Sequence, residues 1–192
     1  MDALLIVDVQ YDFMPGGALG VPEGDAIVPA IARLKRRFER VVFTQDWHPV
    51  DHCSFKQRGG IWPPHCVQNS PGARIDSRLV GREDMVVRKG IDPNIDSYSA
   101  FWDNQRLHKT ELDEMLIGMG VTRAYVCGLT TDYCVKFSVV DALDAGYEAY
   151  LIEDACRGVN LVAGDDRRAV EEMVSRGARV VGEESLTRKI VT

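Results

Sequence analysis

The chain has 192 residues, of which 45% are hydrophobic and 27% are charged, and its formal net charge is −6. This length and composition are typical of one globular domain, which we predict over residues 1–192. The acidic balance argues against nucleic acid as a partner, because phosphate binding needs a basic face.

Strand patterns and helix patterns alternate along the chain. A continuous apolar run predicts a buried strand at 3–7, and apolar residues at helical spacing predict a helix over 27–38. The same patterns predict strands at 40–44, 84–88, 123–127, 148–152 and 178–181, and helices from Thr110 to Gly118, from Thr131 to Gly146 and over 165–176. Thr110 and Asp113 resemble an acidic capping box at the start of their helix.

This alternation implies right-handed crossovers and a parallel sheet that is covered on both faces. We therefore predict an α/β fold, a three-layer doubly wound (Rossmann-like) sheet of about six mainly parallel strands. Two long irregular stretches, 45–78 and 90–109, are predicted to be functional loops, because long structureless connections are uncommon inside a compact domain.

Targeting and disulfide signals are absent from the sequence. No apolar stretch reaches membrane-spanning length, and the N-terminal apolar run follows no basic region, so we expect no membrane partner and a cytoplasmic location. The five cysteines are an odd number and form no Cys-x-x-Cys pair. This pattern favours a reduced protein with at least one functional thiol.

Three of the four histidines lie in one stretch beside carboxylates. Asp46, His48 and His65 combine a hard oxygen ligand with two imidazoles, a set that can hold a catalytic metal with an open position. A single histidine is more often a hydrogen-bonded polar residue than a ligand, but this clustering favours a metal site. His52 is interpreted as a fourth ligand, a residue that orients a ligand, or a hydrogen-bonded loop residue. His108 stands apart and is predicted to lie at the surface.

Polar residues also follow the other predicted strands, and the carboxyl ends of parallel strands share one edge of a sheet. Cys134, near a helix N-terminus that would favour its thiolate, is the candidate nucleophile, and a buried cysteine that only packs is the alternative. Asp8 is the candidate general base and acid, with a turn cap as the alternative. Lys89 would hold Asp8 by charge, with a solvated lysine at the strand end as the alternative.

Aromatic residues lie in the loops around the same edge. Phe13, Trp62, Tyr98 and Tyr133 could hold a flat aromatic or amide substrate between their rings, and core packing is the alternative. The pair Gly16-Gly17 lacks the spacing of a dinucleotide fingerprint, so no nucleotide cofactor is expected.

Together these motifs resemble a known family, the nicotinamidases, including their pyrazinamide-hydrolysing members, within the isochorismatase-like cysteine hydrolases. The resemblance rests on blocks spread from Asp8 to Asp154: Asp8-Val9-Gln10-Tyr11-Asp12-Phe13, Thr44-Gln45-Asp46-Trp47-His48-Pro49, Trp62-Pro63-Pro64-His65-Cys66, Lys89-Gly90 and Gly128-Leu129-Thr130-Thr131-Asp132-Tyr133-Cys134.

The resemblance implies hydrolysis of nicotinamide to nicotinate and ammonia, and of pyrazinamide as well, through a cysteine thioester in a step of NAD salvage. It implies a triad of Asp8, Lys89 and Cys134. It also implies one divalent metal on Asp46, His48 and His65, zinc in the first place and iron or manganese as alternatives, with His52 matching the further ligand of some members. A cis peptide before Thr130 would aim its N–H, with that of Cys134, at the oxyanion. Thr130 stands where the family often has alanine. Members often form homo-oligomers.

Three rival functions stay open. Another isochorismatase-like amide hydrolase would act on a different small amide, although such enzymes generally lack the Asp-x-His and later His ligands. A non-haem iron oxygenase also uses two histidines and one carboxylate. The third is a binding protein on the same fold without catalysis.

Overall fold

A computed structural model of the protein describes residues 1–189, so the last three residues of the predicted 1–192 domain lie outside it. Strands and α-helices alternate along the described chain, except that no α-helix separates β2 from β3. In order they are β1 Asp2–Val7, α1 Val28–Lys35, β2 Val41–Asp46, β3 Met85–Lys89, α2 Leu112–Gly118, β4 Arg123–Leu129, α3 Lys136–Asp144, β5 Glu148–Arg157, α4 Asp165–Ser175 and β6 Arg179–Val181.

The strands form one six-stranded sheet in the order β3-β2-β1-β4-β5-β6. Every neighbouring pair is parallel. The prediction of a doubly wound α/β fold with a parallel sheet is confirmed. The direction of winding reverses between β1 and β4, and doubly wound sheets bind their ligands at the carboxyl ends of the strands near such a reversal.

The sheet is the centre of the hydrophobic core. Residues 3–7 of β1 are completely buried, as expected of a central parallel strand with helices on both faces. On α1, Val28, Ile31 and Leu34 form the buried stripe that packs against the core. This α-helix is shorter than the predicted 27–38 and begins just before Pro29, a residue that fits the first turn because its missing N–H costs no helical bond there.

Four strands, β2 to β5, extend further at their carboxyl ends than predicted, and the extension of β2 and β3 matters for the site. We predicted that β2 ends at Thr44 and β3 at Arg88, with Asp46 and Lys89 beyond them. Instead β2 includes Asp46 and β3 includes Lys89, and these two residues are direct neighbours in the parallel register. The register of the strands therefore brings a carboxylate and an ammonium together at the carboxyl edge.

Two helix starts also differ from the prediction. The chain after β4 first forms a wide π-helical turn, Thr131–Val135, before α3 begins. At α2, the Thr110 hydroxyl accepts a hydrogen bond from the Leu112 N–H, but the Asp113 carboxylate accepts from Lys109 and Tyr147. The Asp113 carboxylate thus binds Lys109 and Tyr147, and the predicted capping box does not form.

Candidate active site

Four predicted polar residues meet at the carboxyl edge of the sheet. Asp8 follows β1, Asp46 ends β2, Lys89 ends β3, and Cys134 lies in the turn after β4. Each is at most 5% exposed. Their charges are therefore poorly screened by water and act strongly on one another.

The Lys89 ammonium is the centre of this group. Its Nζ lies 2.9 Å from Asp8 Oδ2 and 2.5 Å from Asp46 Oδ1. It also donates to the Ser97 carbonyl at 3.1 Å and lies 3.4 Å from the Cys134 sulfur. The alternative of a solvated lysine at the strand end is wrong, because the side chain is fully buried.

Burial and these charges set the pKa values of the two carboxyls apart. Burial acts to raise both, and Lys89 acts to lower both. At Asp46 the charges of Lys89 and His48 prevail and hold the pKa well below its usual value. At Asp8 burial prevails and the pKa is raised. A pair of acids driven apart in this way marks Asp8 as the carboxyl that can take and return a proton.

The two oxygens of Asp8 are held differently. Among the described residues, its Oδ2 is the one buried side-chain oxygen or nitrogen that accepts no well-aligned hydrogen bond, and its contact is the 2.9 Å ion pair with Lys89. Its other oxygen, Oδ1, accepts a 2.6 Å hydrogen bond from the Thr44 hydroxyl, which in turn accepts from the Asp8 N–H. Thr44 therefore fixes the carboxylate and leaves Oδ2 turned toward Lys89.

Gln10 fixes the second carboxylate through its backbone. The Gln10 side-chain amide accepts from the Asp46 N–H and donates to the Asp46 carbonyl, both at 2.8 Å. Its second N–H donates to the Ala73 carbonyl. Sequence reasoning missed Gln10 and Thr44 as functional residues. The available signal was an amide and a hydroxyl next to, or inside, strands that are otherwise apolar.

Cys134 sits in the wide turn after β4. Burial raises the pKa of its thiol well above the ordinary value; Lys89 opposes the rise, and Asp8 and Asp46 add to it. Burial therefore opposes the thiolate that a helix N-terminus was expected to favour. Cys134 must give up its proton to act as a nucleophile, and Asp8 is the acceptor at hand.

Asp46, His48 and His65 form a second group, with one donor atom from each within 4.8 Å of the others. The Nδ1 atoms of His48 and His65 face the carbonyls of Gly90 and Pro63 at 2.9 and 2.8 Å. Because a carbonyl can only accept, each Nδ1 carries a proton, which leaves each Nε2 as the atom that could bind a metal. Burial acts to lower the pKa of His48, but Asp46 outweighs it and raises that pKa. Burial, helped by the His48 charge, lowers the pKa of His65 to about 4. This donor set fits a divalent metal.

Two neighbours shape the donor group. At Gly90, with φ +64°, a Cβ atom would lie 2.3 Å from the His48 ring, so only glycine allows the ring to approach. The His52 ring stacks on the His48 ring at 4.2 Å. Its Nδ1 contacts the Ser54 hydroxyl and its Nε2 lies 3.3 Å from the Ile95 carbonyl. The structure thus places His52 behind His48, with both of its nitrogens occupied by protein groups.

The predicted aromatic residues line one cavity beside Cys134. Phe13, Trp62, Tyr98 and Tyr133 are all in its wall, together with His48 and His65. Trp62 and Tyr98 each meet the Tyr133 ring edge-on, and the Trp62 indole N–H donates to the Tyr98 hydroxyl at 3.2 Å. The rings therefore hold one another in place. Leu19, Asp96, Ser97, Thr130 and Val159 also line the cavity and were not predicted as wall residues.

Four further observations concern features that the sequence analysis named. The peptide between Leu129 and Thr130 is cis, as the resemblance implies. The side chain of His108 is 63% exposed, as predicted for a surface residue. All five cysteines are free thiols. Within residues 1–189, none of the helices has the length and apolar character needed to span a membrane.

Known proteins resemble this chain over nearly its whole length. The isochorismatase domain family matches residues 2–185. A nicotinamidase of Escherichia coli (strain K12) is 46% identical over 196 aligned residues, which cover 92% of each chain.

Two solved structures resemble this chain in both fold and sequence. A pyrazinamidase of Pyrococcus horikoshii in complex with zinc is 45% identical, with a TM-score of 0.86, and the match covers 94% of this chain and 98% of that one. The PnC1 protein of L. infantum in complex with nicotinate is 37% identical, with a TM-score of 0.91 over 96% of this chain and 94% of that one.

Proposed function

The chain belongs to the isochorismatase domain family and is an amide hydrolase, and we propose that it hydrolyses nicotinamide to nicotinate and ammonia, and pyrazinamide likewise. One observation carries this proposal. Cys134, which lies beside the buried Lys89, lines the same aromatic-walled cavity as the donor group of Asp46 and two histidines. A thiol could attack the carboxamide there while the donor group orients the ring.

In the first half-reaction Asp8 takes the proton of the Cys134 thiol, and the sulfur attacks the carboxamide carbon. The N–H groups of Thr130 and Cys134 receive the oxyanion that forms. Asp8 then gives the proton to the amide nitrogen, the C–N bond breaks, and ammonia leaves. The enzyme is left as a thioester on Cys134.

In the second half-reaction Asp8, again a carboxylate, takes a proton from a water molecule that attacks the thioester carbon. The tetrahedral adduct collapses, the C–S bond breaks, and the proton returns from Asp8 to the sulfur. The second proton of the water leaves with the product acid, which ionises to nicotinate in solution. Lys89 keeps one positive charge beside Asp8 throughout, which lets this carboxyl alternate between its two forms without leaving an unpaired charge in the interior.

The residues that would hold a metal are Asp46, His48 and His65, and the zinc in the Pyrococcus horikoshii relative favours zinc for this chain, with iron or manganese as alternatives. When bound, the metal supplies a positive centre on which the ring nitrogen of the substrate is oriented, directly or through water. His52 supports His48 in this arrangement as a neighbour of the ligand.

The decisive experiment is ammonia release from nicotinamide by the purified protein. We expect release by the metal-replete enzyme, its loss after chelation, and its return with added zinc. Cys134→Ala should abolish release, whereas the control Cys127→Ala, which alters a buried cysteine in the middle of β4, should keep it. An oxygenase would instead keep its activity without Cys134. No nicotinate from the metal-replete wild type would overturn the proposal.

The resemblance supports three further proposals. They are a step in NAD salvage, a cytoplasmic location and assembly into a homo-oligomer. A different small amide is the alternative substrate, and a comparison of kcat/KM over a set of aromatic and aliphatic carboxamides decides between the two.

A further inference from the structure

One wall of the substrate cavity stands on a loop rather than on the sheet. Val159 lines the cavity and belongs to residues 158–164, the irregular connection between β5 and α4. The next residues, Leu161 and Val162, are 57% and 63% exposed. Because these side chains face solvent, apolar packing does not fix this part of the loop.

The loop is instead fastened to the turn that carries the nucleophile. Asp132, two residues before Cys134, is 6% exposed. Its Oδ1 accepts the Val159 N–H at 3.0 Å and its Oδ2 accepts the Asn160 N–H at 2.7 Å. A carboxylate that binds two successive N–H groups fixes the orientation of the peptide between them, and charge-assisted hydrogen bonds are stronger than neutral ones.

The far end of the same loop segment is fixed to α4. The Asn160 side-chain carbonyl accepts the Asp166 N–H at 3.0 Å. At Gly158, a Cβ atom would lie 2.7 Å from the Cβ atom of Asp166, so the loop approaches the helix more closely than any other residue would allow. The position of Val159 is therefore set from both sides, by Asp132 on the nucleophile turn and by the start of α4.

We propose that Asp132 is a positioning residue that holds Val159 as the size-limiting wall of the substrate cavity, so that the pair selects unsubstituted pyridine carboxamides over ring-substituted ones. Val159 suits this role because a β-branched side chain is stiff about χ1 and offers no hydrogen bond. Trp62 and Tyr98 are each held by a ring contact with Tyr133, whereas Val159 stands on a loop, so shortening Val159 would give a larger ring room on that side of the cavity. This inference rests on the proposed function.

The test compares kcat/KM for nicotinamide with kcat/KM for four nicotinamides that carry one methyl group, at C2, C4, C5 or C6 of the ring. Val159→Ala should raise the relative kcat/KM of at least one methylated substrate about tenfold or more, since one methyl group in a pocket is worth about 10- to 200-fold in discrimination. Asp132→Asn should raise the same substrate in the same direction, because it replaces one accepting oxygen with an N–H group.

The matched control is Asp113→Asn. Asp113 is 8% exposed and also accepts two hydrogen bonds, from Lys109 and Tyr147, but it lies on α2 and does not line the cavity. We expect this variant to lose stability and to keep the wild-type ratio between substrates. If Asp132→Asn lowers all five substrates equally, or if no methylated substrate gains in Val159→Ala, the proposal is overturned.

A second readout does not depend on the substrate. Amide hydrogen exchange of residues 158–160 should be faster in Asp132→Asn than in the wild type, and unchanged in Asp113→Asn. If Asp132→Asn does not fold, Asn160→Ala loosens the loop from its other end and should shift the substrate ratio in the same direction. A wild type that releases no ammonia from nicotinamide would refute the proposed function, whereas unchanged exchange at 158–160 would refute the role of Asp132.

Discussion

Thr44 offers a sharp test of how the acid–base group is held. The substitution Thr44→Val keeps the shape of a completely buried side chain and removes only its hydroxyl. Two hydrogen bonds disappear, the one donated to Asp8 Oδ1 and the one accepted from the Asp8 N–H. Both groups stay buried without a replacement, so stability and catalysis should change together.

The structure sets the size of both effects. A hydrogen bond to a charged group contributes about 1.5–3 kcal/mol, and a buried N–H left without a partner costs about 1–3 kcal/mol. We therefore expect the free energy of unfolding to fall by roughly 2–6 kcal/mol. The Thr44 bond also acts to lower the pKa of Asp8 against the effect of burial, so its loss raises that pKa further.

Thr110→Val is the control. The Thr110 hydroxyl likewise donates one hydrogen bond, to the Ala100 carbonyl, and accepts one, from the Leu112 N–H, but it does not line the cavity. Urea unfolding should show a loss of stability in both variants. The pH profile of kcat/KM for ammonia release should move its acidic limb upward only in Thr44→Val, because a base with a higher pKa ionises at higher pH. An unmoved limb in Thr44→Val would refute this account of Asp8.

The remaining predictions concern charge. Lys89→Met should abolish ammonia release and lower the free energy of unfolding by about 3–5 kcal/mol, because Asp8 and Asp46 would then face each other without the ammonium between them. A variant as stable as the wild type in urea unfolding would contradict this. At Asp103, burial acts to raise the pKa, but hydrogen bonds from the Leu107 and His108 N–H groups outweigh it and hold the pKa below its usual value. The folded state thus gains stability above the unfolded pKa of about 3.9, and loses it as pH falls through the lower folded value. The difference in urea midpoint between the wild type and Asp103→Asn should therefore shrink from pH 6 to pH 3, and a constant difference would contradict it.

The fold could be predicted because its signals are local. Alternating apolar strands and amphipathic helices predict a parallel sheet, and the carboxyl ends of parallel strands share an edge. That rule alone brought Asp8, Lys89 and Cys134 to one place. The ends of the strands could not be predicted as well, because Asp46 and Lys89 belong to their strands only through pairing with each other. A polar residue at the end of a strand looks like a loop residue until its partner is known.

The direction of the pKa shift of the Cys134 thiol could not be predicted from the sequence, for a related reason. Its place near a helix start favours a thiolate, but burial and the charges of Asp8 and Asp46 raise the pKa of the thiol more than Lys89 lowers it. These contributions come from three other strand ends and depend on distances of a few ångströms. The local sequence predicts the dipole of the turn, but the direction of the net pKa shift of the thiol depends on residues of the surrounding strands.

The supporting residues show where further signal can be found in a sequence. Thr44 lies two positions before Asp46 on β2, so both side chains point to the same face of the sheet. A buried hydroxyl on a parallel strand must find a partner on the next strand, and here that partner is Asp8, which follows the neighbouring β1. The same reasoning applies to Gln10, whose amide binds the backbone of Asp46. Polar residues next to apolar strands are therefore candidates, from the sequence alone, for the groups that support a catalytic residue. The role of Asp132 cannot be predicted in this way, because its partner Val159 lies 27 residues away in an irregular loop that no periodic pattern describes.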